Sequence, residues 1–210
     1  MPDQLEDLLV WGLGQLGVSI PEYARRQLFD YLALLQKWNG AYNLTAVRQP
    51  RAMVVRHLLD SLALLPLIDA HRYIDVGTGG GVPGVPLAIA CPDREFHLLD
   101  SNGKKTRFLF QVKTALGLDN MTVHHARVET FQPEQLFDVV LSRAFASLSD
   151  MVSQCGHLLP AGGHFMAMKG GLPEAELAVL PAAMCRLEKV HSLTVPALEE
   201  QRHVVKLARL

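Results

Sequence analysis

Several features that would assign this chain quickly are scarce or missing. It has three cysteines, Cys91, Cys155 and Cys185, far apart and odd in number. That suits buried thiols in a reducing compartment better than a disulfide framework. Charge imbalance is absent as well: 20 Lys and Arg against 21 Asp and Glu leave a net charge of -1, so composition gives no sign of a nucleic-acid binder. The longest apolar stretches, such as 62–68 with Pro66 inside it, fall far below the roughly 20 residues of a membrane span. The acidic start, with Asp3, Glu6 and Asp7 and no basic segment ahead of an apolar core, leads us to expect a cytoplasmic protein without membrane attachment. No His or Cys spacing matches a metal site, and neither repeats nor low-complexity segments occur.

What is present centres on one stretch, Tyr73-Ile74-Asp75-Val76-Gly77-Thr78-Gly79-Gly80-Gly81-Val82-Pro83-Gly84. An apolar run ends in a carboxylate, passes through glycines and resumes as an apolar, helix-like segment. Bare backbone at a strand-to-helix turn lets a ligand approach, and the helix start offers free N–H groups. Two patterns fit. Gly79, Gly81 and Gly84 have dinucleotide-site spacing; Asp75, Gly77, Gly79 and Gly81 have the acidic-x-G-x-G-x-G spacing that resembles motif I of Rossmann-like S-adenosylmethionine methyltransferases. An anion at Asp75, at the carboxyl end of the strand, repels a pyrophosphate and suits a sulfonium ligand with an ammonium group.

At 210 residues the chain holds one α/β domain plus an appendage. Periodicity predicts a helix over 3–16 and, after a turn at Gly17 to Pro21, a longer one that stops at Asn39-Gly40, with an apolar stripe of Leu28, Tyr31, Leu32, Leu35 and Trp38. A third helix is expected over 51–65, with Arg56, His57, Asp60 and Ser61 on one face and an Arg56 to Asp60 pair at i,i+4. From Tyr73 onward, strand-like runs at 73–76, 96–99, 121–124, 138–141 and 163–168 alternate with helical stretches. Alternation of this kind predicts a parallel sheet covered by helices. Runs at 186–193 and 202–208 are joined by a connection too short for a helical crossover, so they are expected to be antiparallel.

Asp100 ends the second strand, about 20 positions past the glycines, where an acid can accept hydrogen bonds from both ribose hydroxyls of an adenosine. Lys104, Lys105 and Arg107 open the next helix, an unfavourable place for cations that a nearby phosphate backbone would explain. Arg127-Val128-Glu129 follows the third strand, and Ser142-Arg143-Ala144-Phe145 the fourth. The latter position carries neither an Asn/Asp-Pro-Pro-aromatic motif nor a Pro-Cys, which argues against exocyclic-amine chemistry and against a covalent cysteine route. From these residues alone a methyltransferase of RNA, a small molecule or a protein, and a non-catalytic cofactor-sensing module, all remain open.

Trp38-Asn39 with Tyr42-Asn43-Leu44-Thr45, Arg56-His57 with Asp60-Ser61, the glycine turn, Leu99-Asp100-Ser101, Arg127-Val128-Glu129, Ser142 to Ser147 and Lys169-Gly170 together closely resemble the RsmG (GidB) family. The resemblance runs over essentially the whole chain. It implies a Rossmann-like class I methyltransferase fold, with a seven-stranded, mostly parallel sheet ending in an antiparallel hairpin, over 71–210, and an N-terminal helical extension over 1–70. It implies S-adenosyl-L-methionine as cofactor and 16S ribosomal RNA as substrate, methylated at guanine N7 within the small subunit or its assembly intermediate, by a monomer. Carried over by position, it implies cofactor contacts at Gly77, Val82, Val128, Glu129 and Arg143, beside Asp75, Gly79 and Gly81 of the turn and Asp100 at the ribose. Arg143 and Lys169 are expected to orient the base or hold the cofactor carboxylate, with Asn39, Asn43 and His57 in the pocket wall. Many members have a proline in the middle of the turn, where this chain has Gly80.

Overall fold

A computed structural model describes residues 4–143 and 145–210. The first residue of the expected 3–16 helix, Asp3, and Ala144 of the segment after the fourth strand lie outside the described residues. Helix α1 (Leu5–Leu16) ends on Gly17, whose φ of 67° supplies a left-handed cap. Helix α2 (Glu22–Tyr42) buries Leu28, Tyr31, Leu32 and Leu35, the stripe its periodicity predicts. It runs past the expected stop at Asn39-Gly40 and ends on Asn43, at φ 49°. Asn39 is not free to end the helix, because its side chain is buried and bonded to the following loop.

The third helical region differs from expectation. Short α-helical pieces α3 (Pro50–Met53) and α4 (Asp60–Leu62) flank a π-helical turn, Val54–Leu59, a feature common at functional sites. The wider turn removes the i,i+4 register, and the expected Arg56 to Asp60 pair does not form. Arg56 pairs instead with Glu200, while Asp60 is fully buried and faces Arg143 and Arg202.

Seven strands make one sheet: β1 (Arg72–Val76), β2 (Glu95–Asp100), β3 (Met121–His125), β4 (Val139–Ser142), β5 (His164–Lys169), β6 (Cys185–Leu193) and β7 (Arg202–Arg209). Their order is β3-β2-β1-β4-β5-β7-β6. The first five pair in parallel; β7 inserts between β5 and β6, antiparallel to both. Helices α5 (Gly84–Ala90), α6 (Gly103–Leu116), α7 (Leu148–Cys155) and α8 (Glu174–Ala178) follow β1, β2, β4 and β5.

Strand alternation divides the core between the sheet's faces. On β1, Tyr73 joins the cluster that holds Leu28, Tyr31, Leu58, Val85 and Phe108; its neighbour Ile74 joins the one that holds Phe137, Val140, Met151 and Phe165. The N-terminal helices therefore share one apolar core with the sheet and with α5 and α6. Among the described residues no helix is long and apolar enough to cross a membrane.

Candidate functional site

The turn after β1 is held open by contacts that leave little room for side chains. Gly77, Gly79 and Gly81 all have positive φ, at 70°, 62° and 96°, a region costly for other residues. At Gly81 space is also closed: a Cβ would come within 2.5 Å of Val85 Cγ2 and 2.8 Å of Leu109 Cδ2. Helix α5 is drawn against the turn at its first residue, where the Gly84 N–H donates to Asp75 Oδ2 over 2.9 Å.

Asp75 is turned inward, 1% exposed, and accepts from Thr78 Oγ1 at 2.7 Å as well as from Gly84. Burial pushes its carboxyl up to about 6, even with these two hydrogen bonds and Arg143 pulling the other way. Its role in this structure is to tie the two ends of the glycine turn together. Asp100 is different. One of its oxygens accepts from the Gly79 N–H and the other from the Asn102 N–H, both at 2.9 Å, and Lys105 Nζ stands 3.6 Å away. Each oxygen keeps a further lone pair for a ligand.

Asp100 opens onto a cavity of about 310 Å³ at the carboxyl ends of β1, β2 and β3, lined also by Gly77, Lys105, Val128, Glu129 and Phe145. Bare backbone at Gly77, a fixed acid at the strand end, apolar Val128 and Phe145, and the 3₁₀ turn Val128–Thr130 suit an adenosine. The site residues that the resemblance implies are thus divided. Gly77, Asp100, Val128 and Glu129 line this cavity. Gly79 contributes its N–H to Asp100; Gly81 packs against Val85 and Leu109; Val82 packs against the core.

Arg143 and Lys169 come together in a second, smaller cavity of about 260 Å³, with Asp60, Met168, Gly170 and Arg202. Lys169 Nζ is 2.8 Å from Glu176, whose same oxygen accepts the Leu148 N–H at the start of α7.

Asn39, Asn43 and His57 stand elsewhere. Asn39 donates to and accepts from the backbone of Thr45, at 3.0 and 2.9 Å, and His57 Nε2 is 2.9 Å from Thr45 Oγ1. The pair pins the loop after α2 rather than facing either cavity, while Asn43 is an exposed helix cap. Burial, then Arg143, lower His57 to about 4, so the imidazole is neutral near pH 7. Three contributors escaped the sequence reading. Tyr31 Oη donates to the Gly80 carbonyl at 2.7 Å; Arg202 faces Asp60; and Gln154 lines the adenosine-sized cavity. For Tyr31 the only sequence signal was a polar tip inside an apolar stripe.

Among the described residues no cluster of three or more His, Cys, Asp or Glu could hold a metal ion.

Comparison with known proteins adds to this geometry. A family model described as rRNA small subunit methyltransferase G (GidB) matches residues 24–205. Proteins named ribosomal RNA small subunit methyltransferase G are similar over nearly the whole chain. That of Marinobacter nauticus is 52% identical over 99% of this chain and 95% of its own length; that of Stutzerimonas stutzeri is 55% identical over 96% and 94%. Solved structures share the fold alone: TrmN from Thermus thermophilus has a TM-score of 0.55 at 22% identity, over 71% of this chain and 48% of that one. A TehB-like SAM-dependent methyltransferase from Corynebacterium glutamicum has 0.56 at 13%, over 86% and 98%.

Proposed function

Because the chain belongs to the rRNA small subunit methyltransferase G family, we propose that it transfers a methyl group from S-adenosyl-L-methionine to N7 of a single guanine in 16S ribosomal RNA. The observation that carries this reading beyond family membership is the pairing of two cavities. One has a bare-backbone turn, a fixed acid and apolar flanks; the other, at the ends of β4 and β5, gathers Arg143, Lys169 and Arg202 around Asp60. The first suits the cofactor and the second the RNA.

The bound cofactor supplies an electrophilic methyl on a positively charged sulfur. Guanine N7 carries an exposed lone pair and no proton, so the N7–methyl bond can form as the sulfur–methyl bond breaks, without a general base. Positive charge passes from sulfur to the purine. Catalysis then rests on alignment, which the chain supplies through Asp100 at the ribose, the Gly77 backbone, and Val128 and Glu129 along the adenosine. His57, buried and neutral, has no proton-transfer step to perform. The base must be presented from a loop or flipped out of a stack to reach the cavity. On this reading the substrate is the small subunit or an assembly intermediate, and the enzyme acts as a cytoplasmic monomer.

Transfer of labelled methyl from the cofactor to small subunits lacking the modification tests it, with the position mapped by borohydride and aniline cleavage at N7-methylguanine. A single cleavage is the expected result. Tight cofactor binding without transfer to subunits or free rRNA overturns the reading.

A further inference from the structure

The cation-lined cavity contains an arrangement that the transfer reaction does not require. Asp60, with no exposed surface, lies between two guanidiniums brought from distant parts of the chain: Arg202 Nε donates to its Oδ1 at 3.1 Å, and Arg143 Nη2 stands 3.3 Å from its Oδ2. The two arrangements are unequal. Arg202 is fixed, since Nη1 also donates to the Gln201 carbonyl at 2.8 Å. Among the described residues, Arg143 is held at long range, at 3.3 Å from Asp60 and 3.4 Å from the Arg56 carbonyl, beyond the usual 2.7–3.2 Å. Asp60 Oδ2 is left with no hydrogen bond, although buried.

Charge points the same way. Lys169 is balanced by Glu176, whereas two guanidiniums share the single carboxylate of Asp60, so the cavity keeps one positive charge. A buried ion group of this kind is weak evidence of a stabilising role, and an incomplete one is weaker still. Planar guanidiniums side by side suit an oxyanion held by two forks.

We infer that Asp60 is a positioning residue, aiming Arg143 and Arg202 together at one phosphodiester of the RNA next to the methylated guanine. The inference rests on the function proposed above and names the RNA group that this side of the site takes. An oxyanion could also be the cofactor's carboxylate. The cation-lined cavity shares no lining residue with the adenosine-sized one, and Arg202 comes from β7, whose strand lies on the far side of β5 from β4, which favours the RNA.

Asp60→Asn, which keeps an acceptor for Arg202 but removes the charge, and Arg202→Gln form the test. Each is compared with wild type by thermal melting, by calorimetric titration with S-adenosyl-L-methionine, and by fluorescence anisotropy of a labelled single-stranded oligoribonucleotide containing guanine, over a range of salt concentrations. Expected are cofactor affinity within about twofold of wild type and RNA binding weaker by about tenfold, the size of one lost charge-assisted contact. The slope of log affinity against log salt should fall by about one in Arg202→Gln, and the double variant should lose no more than the worse single one. Loss of cofactor affinity with RNA binding intact would assign the pair to the cofactor carboxylate. An unchanged salt slope, or melting, cofactor and RNA binding declining together, would reduce Asp60 to a structural ion pair. Should the wild type bind the oligonucleotide with these responses yet methylate no guanine, the proposed function fails and the phosphate site stands. Should it methylate rRNA while both variants bind as wild type does, only the present inference fails.

Discussion

Two carboxylates at the ends of neighbouring strands show how much surroundings decide. Asp75 and Asp100 look alike in sequence, each closing an apolar run. Asp75 is sealed behind the turn and spends an oxygen on Thr78 and Gly84; Asp100 borders a cavity and is oriented by Gly79 and Asn102 without being exhausted. If it takes both ribose hydroxyls, Asp100→Ala loses two charge-assisted bonds of roughly 1.5 kcal/mol each, or about two decades of cofactor affinity by calorimetry. Unchanged affinity would remove Asp100 from the site. His57 yields a pH prediction. Unfolded, it takes up a proton near 6.5; folded, only near 4. The unfolded chain therefore binds more protons in that window, and stability falls as pH drops through it. Asp75 opposes this, since its carboxyl ionises near 3.8 unfolded and about 6 folded, costing stability as pH rises over that interval. Against wild type, the slope of urea midpoint with rising pH across pH 4 to 6.5 should shift downward, toward falling stability, in His57→Gln and upward, toward rising stability, in Asp75→Asn; slopes equal to wild type in both would refute the assignment.

At the scale of elements, the helix α2 does more than cover the sheet. Its Tyr31, fully buried, reaches the Gly80 carbonyl in the middle of the glycine turn, and its Asn39 holds the loop that packs against the same turn. Burial pushes the Tyr31 hydroxyl above its ordinary value, so it remains a donor at any physiological pH. Tyr31→Phe leaves the Gly80 carbonyl buried without its partner, a loss of about 1–3 kcal/mol. We expect lower thermal stability together with weaker cofactor binding, because the turn that presents the Gly79 N–H to Asp100 loosens. A variant that melts earlier but binds cofactor as wild type does would show that the turn is rigid without α2. The middle position is tight as well as bonded: a Cβ at Gly80 would come within 3.2 Å of Leu35 Cδ1, so a larger residue there requires Leu35 to shift.

Taken whole, the molecule has an apolar cluster that spans residue 70, where the N-terminal helices pack on the sheet. Leu28, Tyr31, Leu58 and Leu62 pack in one group with Tyr73, Val85, Leu98 and Phe108. Both tryptophans, Trp11 and Trp38, belong to the N-terminal helices, so fluorescence reports that region and far-UV circular dichroism the entire chain. Unfolding in urea should give coincident transitions by the two probes; a separate fluorescence transition would mean that the N-terminal helices fold independently. The near-neutral net charge is likewise a sum that conceals local imbalance, as the two arginines around Asp60 illustrate.

The sequence by itself determined the elements whose signals are local: the glycine turn, the acids at two strand ends, the β/α alternation and the short link that makes the last hairpin antiparallel. Backbone sterics and side-chain periodicity act within a few residues, so a linear reading captures them. It could not separate Asp75 from Asp100, since burial is a property of what packs over a strand end. It missed the π turn, whose wider register undid the Arg56 to Asp60 pairing. Only tertiary structure decided the contacts between Asp60 and Arg202, 142 positions apart, or between Tyr31 and Gly80, 49 apart. Those depend on β7 inserting beside β5 and on α2 crossing over the turn, and they exist because a shared core holds these elements together in three dimensions.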